Sequence, residues 1–332
     1  MKNHKVTWGI IGVGDVCEVK SAPAMNLVEN SELIAVMRRR GALAKDYAQR
    51  HNIAKWYDDA DELINDPDVN AIYIATPPAF HAEYTKRVAS AGKAVYVEKP
   101  MARTYEECLE MIEACKNANV PLYVAYYRRS LPHFLKIKEL IDQQAIGDIR
   151  MVNIQLIQAC NPDIVSRQEH NWRVDPKIAG GGYFYDLASH QLDFLDYVLG
   201  PIETANGHAT NQMGLYNAED IVTASFRFES GVLGVGSWCF TSSEVSKNER
   251  TTIIGSKGQI SYQSFGKAEV ILETTKEERQ IFTFDLPRHI QQPHIQSVVE
   301  AILGRGKCPS DGESASRTNL IMESIIGDLK KK

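Results

Sequence analysis

Residues 6–14 read VTWGIIGVG, an apolar run that ends in a Gly-x-Gly turn. The run 6–11 predicts a buried strand, and the two glycines predict a tight turn at its end. Four more apolar runs follow, at residues 33–37, 71–75, 94–97 and 121–125. Helical patterns separate them, at 42–51, 81–91 and 105–118. Strands that alternate with helices indicate an α/β fold with a doubly wound parallel sheet over residues 1–125.

The alternation of predicted strands and helices ends after residue 125. Two helical patterns, 131–143 and 183–199, lie among strand-like runs at 149–159, 221–228, 232–240, 251–254, 259–262, 269–273 and 280–284. Strands that follow one another without intervening helices indicate a mostly antiparallel sheet. We therefore predict a second, α+β domain with a large sheet over residues 126–332.

Composition narrows the class of protein. The 332 residues suit two domains, and 44% apolar with 24% charged residues is typical of a globular chain. A net charge of −5 disfavours nucleic-acid binding, and no run of about 18 apolar residues predicts a membrane span. The polar N-terminus shows no export leader, so we expect a cytoplasmic protein. The six cysteines lack metal-site spacing and predict free thiols, with no metal.

The glycine turn indicates a phosphate site. Gly12 and Gly14 close the first strand of a βαβ unit, where glycine allows the backbone to approach a pyrophosphate. Asp15 and Val16 open the following helix, whose first N–H groups favour an anion. The third small position of the fingerprint is Cys17, a departure from glycine or alanine. A tight turn without a ligand is the alternative.

Arginines follow the second strand. An acidic residue at this position binds the ribose hydroxyls of NAD, but this chain has Arg38 and Arg39. A guanidinium suits a 2′-phosphate in charge and geometry, and Arg39 can stack on an adenine. We therefore favour NADP as cofactor, with NAD possible and a solvated basic loop as the alternative.

A lysine ends another strand of the predicted sheet. Glu98 and Lys99 follow the run 94–97, and Thr76, Pro77 and His81 follow the neighbouring run. Ligands bind at the carboxyl edge of parallel sheets, where a lysine can polarise a hydroxyl or carbonyl oxygen. An ordinary surface lysine is the alternative.

A carboxylate and an imidazole follow a glycine-rich break at residues 180–182. Asp186 and His190 are four apart, which on one α-helix places both side chains on the same face. Such a pair can transfer protons near neutral pH. The alternative is a helix-capping aspartate with a buried structural histidine. Asp193 and Asp196, on the same helix, are expected to be capping, core-edge or solvent groups.

Taken together, these motifs resemble the glucose–fructose oxidoreductase, inositol dehydrogenase and MocA (Gfo/Idh/MocA) family across essentially the whole chain. The resemblance rests on residues 9–14, Thr76 to Pro78 with His81, Glu98 to Pro100, and Gly181 and Gly182 with Asp186 and His190. It implies a Rossmann domain and a second domain whose open sheet face forms a homodimer or homotetramer. The basic residues after the second strand resemble its NADP-using branch.

The same resemblance implies roles for single residues. Lys99 would hydrogen-bond the reacting oxygen, His190 would be the general acid/base, and Asp186 would orient it or hold a sugar hydroxyl. The Lys99–Pro100 bond is expected to be cis. Further contacts are implied for the cofactor at Thr76, Pro77, His81, Glu98 and Arg128, and for the substrate at Lys99, Tyr126, Trp172, Arg173, Asp186 and His190. For Trp172, a plain core role is the alternative.

These features lead to three functional hypotheses. The first is an NAD(P)-dependent oxidoreductase that acts on a small molecule, namely a sugar, polyol or related cyclic hydroxy or keto compound. The second is a glycoside hydrolase that retains NAD and cleaves by oxidation and elimination. The third is a non-enzymatic nucleotide sensor, which the presence of Lys99, Asp186 and His190 disfavours.

Overall fold

The computed structural model describes residues 4–160, 171–275 and 278–327. The chain divides into two compact units, Met1–Ser130 with Pro287–Ser316, and Leu131–Leu286 with Arg317–Lys332. The first unit therefore includes Pro287–Ser316, which the predicted boundary after residue 125 had assigned to the second domain.

The first unit is built on a parallel sheet, as the sequence predicts, but the sheet has six strands rather than the predicted five. The strands are β1 (Val6–Ile11), β2 (Ser31–Met37), β3 (Lys55–Tyr57), β4 (Ala71–Ile74), β5 (Ala94–Val97) and β6 (Leu122–Val124). Their order in the sheet is β3-β2-β1-β4-β5-β6, with every neighbouring pair parallel. The helices are α1 (Asp15–Val19), α2 (Ala22–Met25), α3 (Gly41–Arg50), α4 (Ala60–Ile64), α5 (His81–Ser90) and α6 (Tyr105–Asn117).

Both faces of this sheet are covered. All residues of β4 and β5 are buried, and successive side chains enter opposite cores because a strand alternates its faces. Ile72 and Ile74 pack into one core, while Tyr73 packs into the other. This burial explains why the strands are apolar throughout rather than alternating.

The second unit contains an eight-stranded sheet. Its strands are β7 (Ile149–Ala159), β8 (Ile202–Thr210), β9 (Ile221–Phe228), β10 (Leu233–Ser242), β11 (Asn248–Gly255), β12 (Gly258–Tyr262), β13 (Glu269–Thr274) and β14 (Gln280–Thr283). The order is β14-β13-β12-β11-β7-β10-β9-β8. Among the described strands of this sheet, only β7 and β10 pair in parallel, so the prediction of a mostly antiparallel sheet is confirmed.

One face of this second sheet carries the unit's core. Buried residues alternate with exposed or partly exposed ones along β9 and most of β10, and Trp238 and Phe240 point to the buried face. Phe134, Phe194 and Tyr262 form an aromatic cluster in this unit. Its helices are α7 (Pro132–Asp142), α8 (Pro176–Ala179) and α9 (Ser189–Leu199).

The last two helices are α10 (Gln292–Ile302) and α11 (Gly312–Ile326). Ile295, Val298 and Val299 of α10 are buried in the same core as Trp8 and Tyr73, so this late segment covers one face of the parallel sheet. In the described part of the chain, we find no helix with the length and apolar character needed to cross a membrane.

Candidate functional site

Four predicted site residues lie at one edge of the parallel sheet. Arg38 follows β2, Gly12 follows β1, Thr76 lies just beyond β4, and Lys99 lies just beyond β5. These strands are adjacent and parallel, so their carboxyl ends share an edge. The first unit thus places its predicted cofactor residues and the predicted catalytic lysine along the same edge.

Glycine occurs at the two positions of the turn for different structural reasons. Gly12 adopts a φ of +94°, and a Cβ there would lie 2.7 Å from Thr76 Cγ2. Its N–H donates to the Met37 carbonyl at 2.9 Å, which fixes the turn against β2. Gly14 caps α1 in an extended conformation, and a Cβ there would meet no atom closer than 3.9 Å. The packing therefore requires Gly12, whereas Gly14 leaves open space beside the backbone, as close approach of a dinucleotide demands.

The helix after the turn is short. Asp15 is exposed and Val16 is partly exposed at its start. Cys17 is fully buried in the core, and burial raises the pKa of its thiol to about 12. The thiol thus acts as a small apolar group, which is what the third position of the fingerprint requires for helix–sheet packing.

The basic residues after β2 are exposed, as binding of a phosphate requires. The Arg38 backbone is fixed because its N–H donates to the Tyr57 carbonyl at 3.2 Å. The Arg39 guanidinium carbon lies 5.3 Å from the centroid of the Phe80 ring, a cation–π contact. Sequence reasoning missed Phe80, since only the fold shows that the residues after β2 and β4 are neighbours.

The segment after β4 contains a buried hydroxyl group, at Thr76, and a histidine whose ring faces main-chain carbonyl groups, at His81. Thr76 Oγ1 is buried and has no hydrogen-bond partner among residues 4–160, 171–275 and 278–327. His81 is fully buried, with Nε2 2.7 Å from the Thr76 carbonyl oxygen and Nδ1 3.1 Å from that of Met101. Burial lowers the pKa of His81. Because both ring nitrogens face the main chain, we revise the predicted direct cofactor contact of His81 to a supporting role. Pro77 leads into a 3₁₀ turn at Pro78–Phe80.

Glu98 and Lys99 are oriented differently. Glu98 is buried, and its carboxylate accepts hydrogen bonds from the Tyr73 hydroxyl and, at 2.7 Å, from Gln291 Nε2. Lys99 is partly exposed, and the Lys99–Pro100 bond is cis, as the resemblance predicts. The carboxylate of Glu98 therefore faces the interior, so its predicted direct contact with the cofactor is also revised.

The segment after β6 is more buried than expected. Tyr126 is fully buried in the core of the first unit, which removes the physical basis for its predicted substrate contact. Arg128 is largely buried, and its Nη1 donates to the Tyr127 hydroxyl at 3.2 Å. Its guanidinium also lies over the Tyr127 ring, at 5.1 Å from the centroid. Both contacts hold the Arg128 guanidinium against Tyr127, and the contact of Arg128 with the cofactor stays a prediction.

In the second unit, Asp186 lies in a π-helical turn. The predicted helix 183–199 begins with π geometry at Phe184–Ala188 and becomes α-helical only at Ser189. A Cβ on Gly181 would lie 2.4 Å from Tyr185 Cδ2, so glycine allows that ring to pack against the chain. A π turn hydrogen-bonds i to i+5, which alters the α-helical i, i+4 spacing expected for Asp186 and His190.

Asp186 pairs with an arginine. Arg173 Nε lies 3.4 Å from Asp186 Oδ2, and the guanidinium carbon lies 4.4 Å from the Trp172 ring centroid. Arg173 Nη1 is buried and lacks a hydrogen-bond partner within the described part of the chain. His190 is buried, with its ring edge-on to Phe265 at 5.9 Å. The structure thus brings Trp172, Arg173 and Asp186 together, as polar binding of a ligand oxygen requires.

The other two carboxylates of this helix have structural partners. Asp196 binds Arg317 Nε at 3.0 Å and Nη2 at 2.5 Å, and it also accepts from the Ile202 N–H. Asp193 accepts from the Thr318 hydroxyl at 3.4 Å. Both contacts lie within the second unit and connect α9 to α11, which agrees with the non-catalytic role expected for them.

The chain matches models and proteins of one family. Residues 6–126 match the model described as "Oxidoreductase family, NAD-binding Rossmann fold", and residues 134–261 match the "GFO/IDH/MocA C-terminal domain". "Oxidoreductase P35" of Formosa agariphila is 38% identical over 323 residues, covering 97% of this chain and 99% of that protein. The 1,5-anhydro-D-fructose reductase of Ensifer adhaerens is 30% identical over 228 residues, covering 68% of this chain and 67% of that one.

Among solved structures, levoglucosan dehydrogenase in complex with NADH and levoglucosan superposes with a TM-score of 0.87. It is 24% identical, with 98% of each chain covered, and supports the fold. The length and identity of the match to the Formosa protein, the two family models and the glycine turn agree. The chain therefore belongs to the Gfo/Idh/MocA family of NAD-binding oxidoreductases.

Proposed function

We propose that this chain transfers a hydride between NADP, in preference to NAD, and a sugar, polyol or related cyclic hydroxy or keto compound. One observation carries the proposal: at one edge of the parallel sheet, β1 ends in the glycine turn, β2 ends in exposed Arg38, and β5 ends just before partly exposed Lys99. Such an edge combines a phosphate site with a proton donor.

The residues present fit a dinucleotide. Gly14 leaves space for a pyrophosphate, Arg38 supplies a charge for a 2′-phosphate, and Arg39, supported by Phe80, offers a flat face to an adenine. Thr76 Oγ1 retains hydrogen-bonding capacity. When bound, the nicotinamide supplies hydride chemistry that no side chain provides.

Lys99 is assigned to the reacting oxygen. Its ammonium group donates a hydrogen bond to the substrate oxygen and stabilises negative charge that develops there during oxidation. In the opposite direction, the same hydrogen bond polarises a carbonyl. Lys99 follows a strand that is buried on both faces, so its main chain starts from a rigid element.

The second unit supplies the groups assigned to proton transfer and substrate hydroxyls. His190 takes the hydroxyl proton in oxidation and returns it in reduction. Asp186 accepts from a hydroxyl of the substrate while Arg173 holds the carboxylate, and Arg173 Nη1 donates to a second oxygen. Relatives named for 1,5-anhydro-D-fructose and levoglucosan support a sugar-like substrate.

We further propose that the enzyme works in the cytoplasm as a homodimer or homotetramer. Six cysteines without disulfides fit a reducing compartment.

The less buried face of the eight-stranded sheet is the proposed subunit contact. Sedimentation equilibrium tests the assembly, and a monomer at micromolar concentration would contradict it.

Cofactor choice is tested by titrating NADPH and NADH into the protein and into Arg38→Asp. We expect NADPH affinity to fall about 10- to 100-fold, because charge-assisted hydrogen bonds are lost, with little change for NADH. Arg40→Asp, which removes the same charge from an exposed neighbour, is the matched control. Equal losses for both cofactors in Arg38→Asp would contradict the 2′-phosphate assignment.

The reaction is tested with NADPH deuterated at C4 and a panel of keto sugars, cyclic ketoses and glycosides. We expect deuterium at the former carbonyl carbon of a reduced product, detected by mass spectrometry. A panel that yields no deuterated product, but includes glycosides cleaved without net cofactor oxidation, would favour the redox-elimination hydrolase instead.

A further inference from the structure

A buried carboxylate lies directly before Lys99. Glu98 Oε1 accepts from the Tyr73 hydroxyl and from Gln291 Nε2, and Glu98 Oε2 accepts from the Lys99 backbone N–H at 3.2 Å. Gln291 comes from the returning segment Pro287–Ser316 of the same unit. We call Tyr73, Glu98 and Gln291 the carboxylate bracket.

A buried carboxylate is costly unless donors surround it. If one donor is removed, part of the buried charge has no hydrogen-bond partner. The resulting loss of free energy is larger than the loss of a solvent-exposed hydrogen bond. Burial, together with the charge of Glu98, raises the pKa of Tyr73 far above its ordinary value, so its hydroxyl remains a donor. Because the Lys99 N–H is a further donor, the same charge holds the main chain of Lys99.

The bracket also reaches the glycine-turn helix. The Gln291 backbone N–H donates to the Lys20 carbonyl at 3.1 Å, and His289 Nδ1 lies 2.7 Å from the Val19 carbonyl. Val19 and Lys20 end α1, which begins right after Gly14. Gln291 therefore contacts the end of that helix through its main chain and the carboxylate beside Lys99 through its side chain.

We propose that Glu98 and Gln291 are positioning residues for hydride transfer, which fix the Lys99 main chain in register with the glycine turn. This inference rests on the proposed function, since it needs Lys99 to act on the reacting oxygen. Neither residue touches the substrate in this account. A misplacement of about 1 Å at a reacting group can cost about 10²-fold in rate, so a modest loosening of the bracket is measurable.

The test compares Tyr73→Phe with Tyr57→Phe. Both changes remove a hydroxyl that donates to a carboxylate in the first unit, since Tyr57 donates to Asp66 Oδ2 at 2.9 Å. In the cofactor-free protein, hydrogen–deuterium exchange of the peptide containing Lys99 is expected to accelerate in Tyr73→Phe and to stay unchanged in Tyr57→Phe. With cofactor and substrate, kcat of Tyr73→Phe should fall about 10-fold, with KM and cofactor affinity within about twofold.

Gln291→Met is the second variant, because it keeps the length of the side chain but cannot donate. It is expected to accelerate the same exchange, to lower kcat similarly and to enlarge the primary deuterium isotope effect as chemistry becomes slower. Unchanged Lys99 exchange, or faster exchange with unchanged kcat in both variants, would overturn the positioning role. Full turnover in Lys99→Ala would instead overturn the proposed function, while the exchange data would still report on the bracket.

Discussion

Lys99 follows a parallel strand buried on both faces, whereas Asp186 lies in a π-helical turn that follows three glycines. The main chain of Lys99 is held by the buried Glu98 carboxylate. Asp186 is instead held by its own side chain, in a partly exposed ion pair with Arg173. The difference indicates that the Lys99 main chain depends, through Glu98, on side chains that are distant in the sequence, while the Asp186 carboxylate pairs with a charge on Arg173 in its own unit.

The largest effect is expected at Lys99. Lys99→Ala should lower turnover by about 10²-fold or more, because the reacting oxygen loses its hydrogen-bond donor, while cofactor binding persists. The matched control is Lys93→Ala, which removes a lysine just before the same strand, where Nζ donates to the Asp66 carbonyl. The rate of both variants is measured by single-turnover kinetics with a keto sugar as substrate. Near-normal rates in Lys99→Ala would show that the lysine is not catalytic.

Two arginine–aspartate pairs of the second unit separate function from stability. Arg173→Gln should lower turnover about 10-fold, because Asp186 loses a charged partner. Arg317→Gln should lower the free energy of unfolding by about 2 kcal/mol, because the Asp196 carboxylate is only 2% exposed; the partial exposure of Arg317 limits the loss. Turnover per folded molecule should stay unchanged in Arg317→Gln.

Chemical denaturation and steady-state kinetics, run on both variants, make this comparison. If Arg173→Gln destabilised the fold and left kcat intact, its pair would be structural, like that of Asp196. The assignment of Asp186 to the substrate would then be lost.

The first unit should show a pH-dependent stability from His294. Its Nε2 lies 3.0 Å from the Val124 carbonyl, and the Ser130 hydroxyl lies 3.0 Å from Nδ1, an arrangement that suits the neutral ring. Burial, reinforced by Arg129, lowers its pKa from 6.5 to about 4. The unfolded chain thus binds a proton between these values that the folded chain does not, so stability falls as pH drops through that window.

The shift corresponds to a loss of about 2 kcal/mol between pH 7 and pH 5 from this group. In His294→Gln, the pH dependence of the free energy of unfolding should shrink by that amount. His208→Gln, at an exposed histidine, is the control. Identical pH profiles for wild type and His294→Gln would refute the burial argument.

A smaller effect, on NADPH affinity, is expected at Phe80, beside the exposed arginines at the carboxyl edge of the parallel sheet. Phe80→Leu removes the aromatic ring beneath Arg39, which is worth about 0.5–1 kcal/mol. NADPH affinity should therefore fall about two- to fivefold, with kcat unchanged. Fluorescence titration measures it, and a loss as large as that of Arg38→Asp would mean that Phe80 itself contacts the cofactor.

Periodicity and turn chemistry predicted much of this fold. Apolar runs such as 71–75 predicted the parallel strands, because a strand that is buried on both faces does not alternate apolar with polar residues. Two edge strands were missed. β3 has only three residues, and β8 contains Asn206 and Gly207, which lack strand propensity. Edge strands depend on their neighbours more than on their own sequence.

The candidate site was predicted where the chemistry is local. The glycine turn and Lys99 stand out because their residue types lie at a strand end. Gln291 did not stand out, because it lies 193 positions after Glu98 and only the fold joins them. The sequence predicts an α-helix at Asp186 and misses the π turn, in which Tyr185 packs against Gly181, a residue outside the turn. Long-range packing of this kind leaves no periodic signal.

We propose that the edge around the glycine turn binds a nicotinamide dinucleotide, and Gly14→Val is the sharpest test. The extended backbone and the open space at Gly14 accept a side chain without strain in the free protein. Calorimetric titration should show one NADPH per chain in the wild type and a loss of at least about 100-fold in affinity in Gly14→Val, at an unchanged unfolding temperature. Wild-type affinity in the Gly14→Val variant would show that the dinucleotide does not lie against the glycine turn.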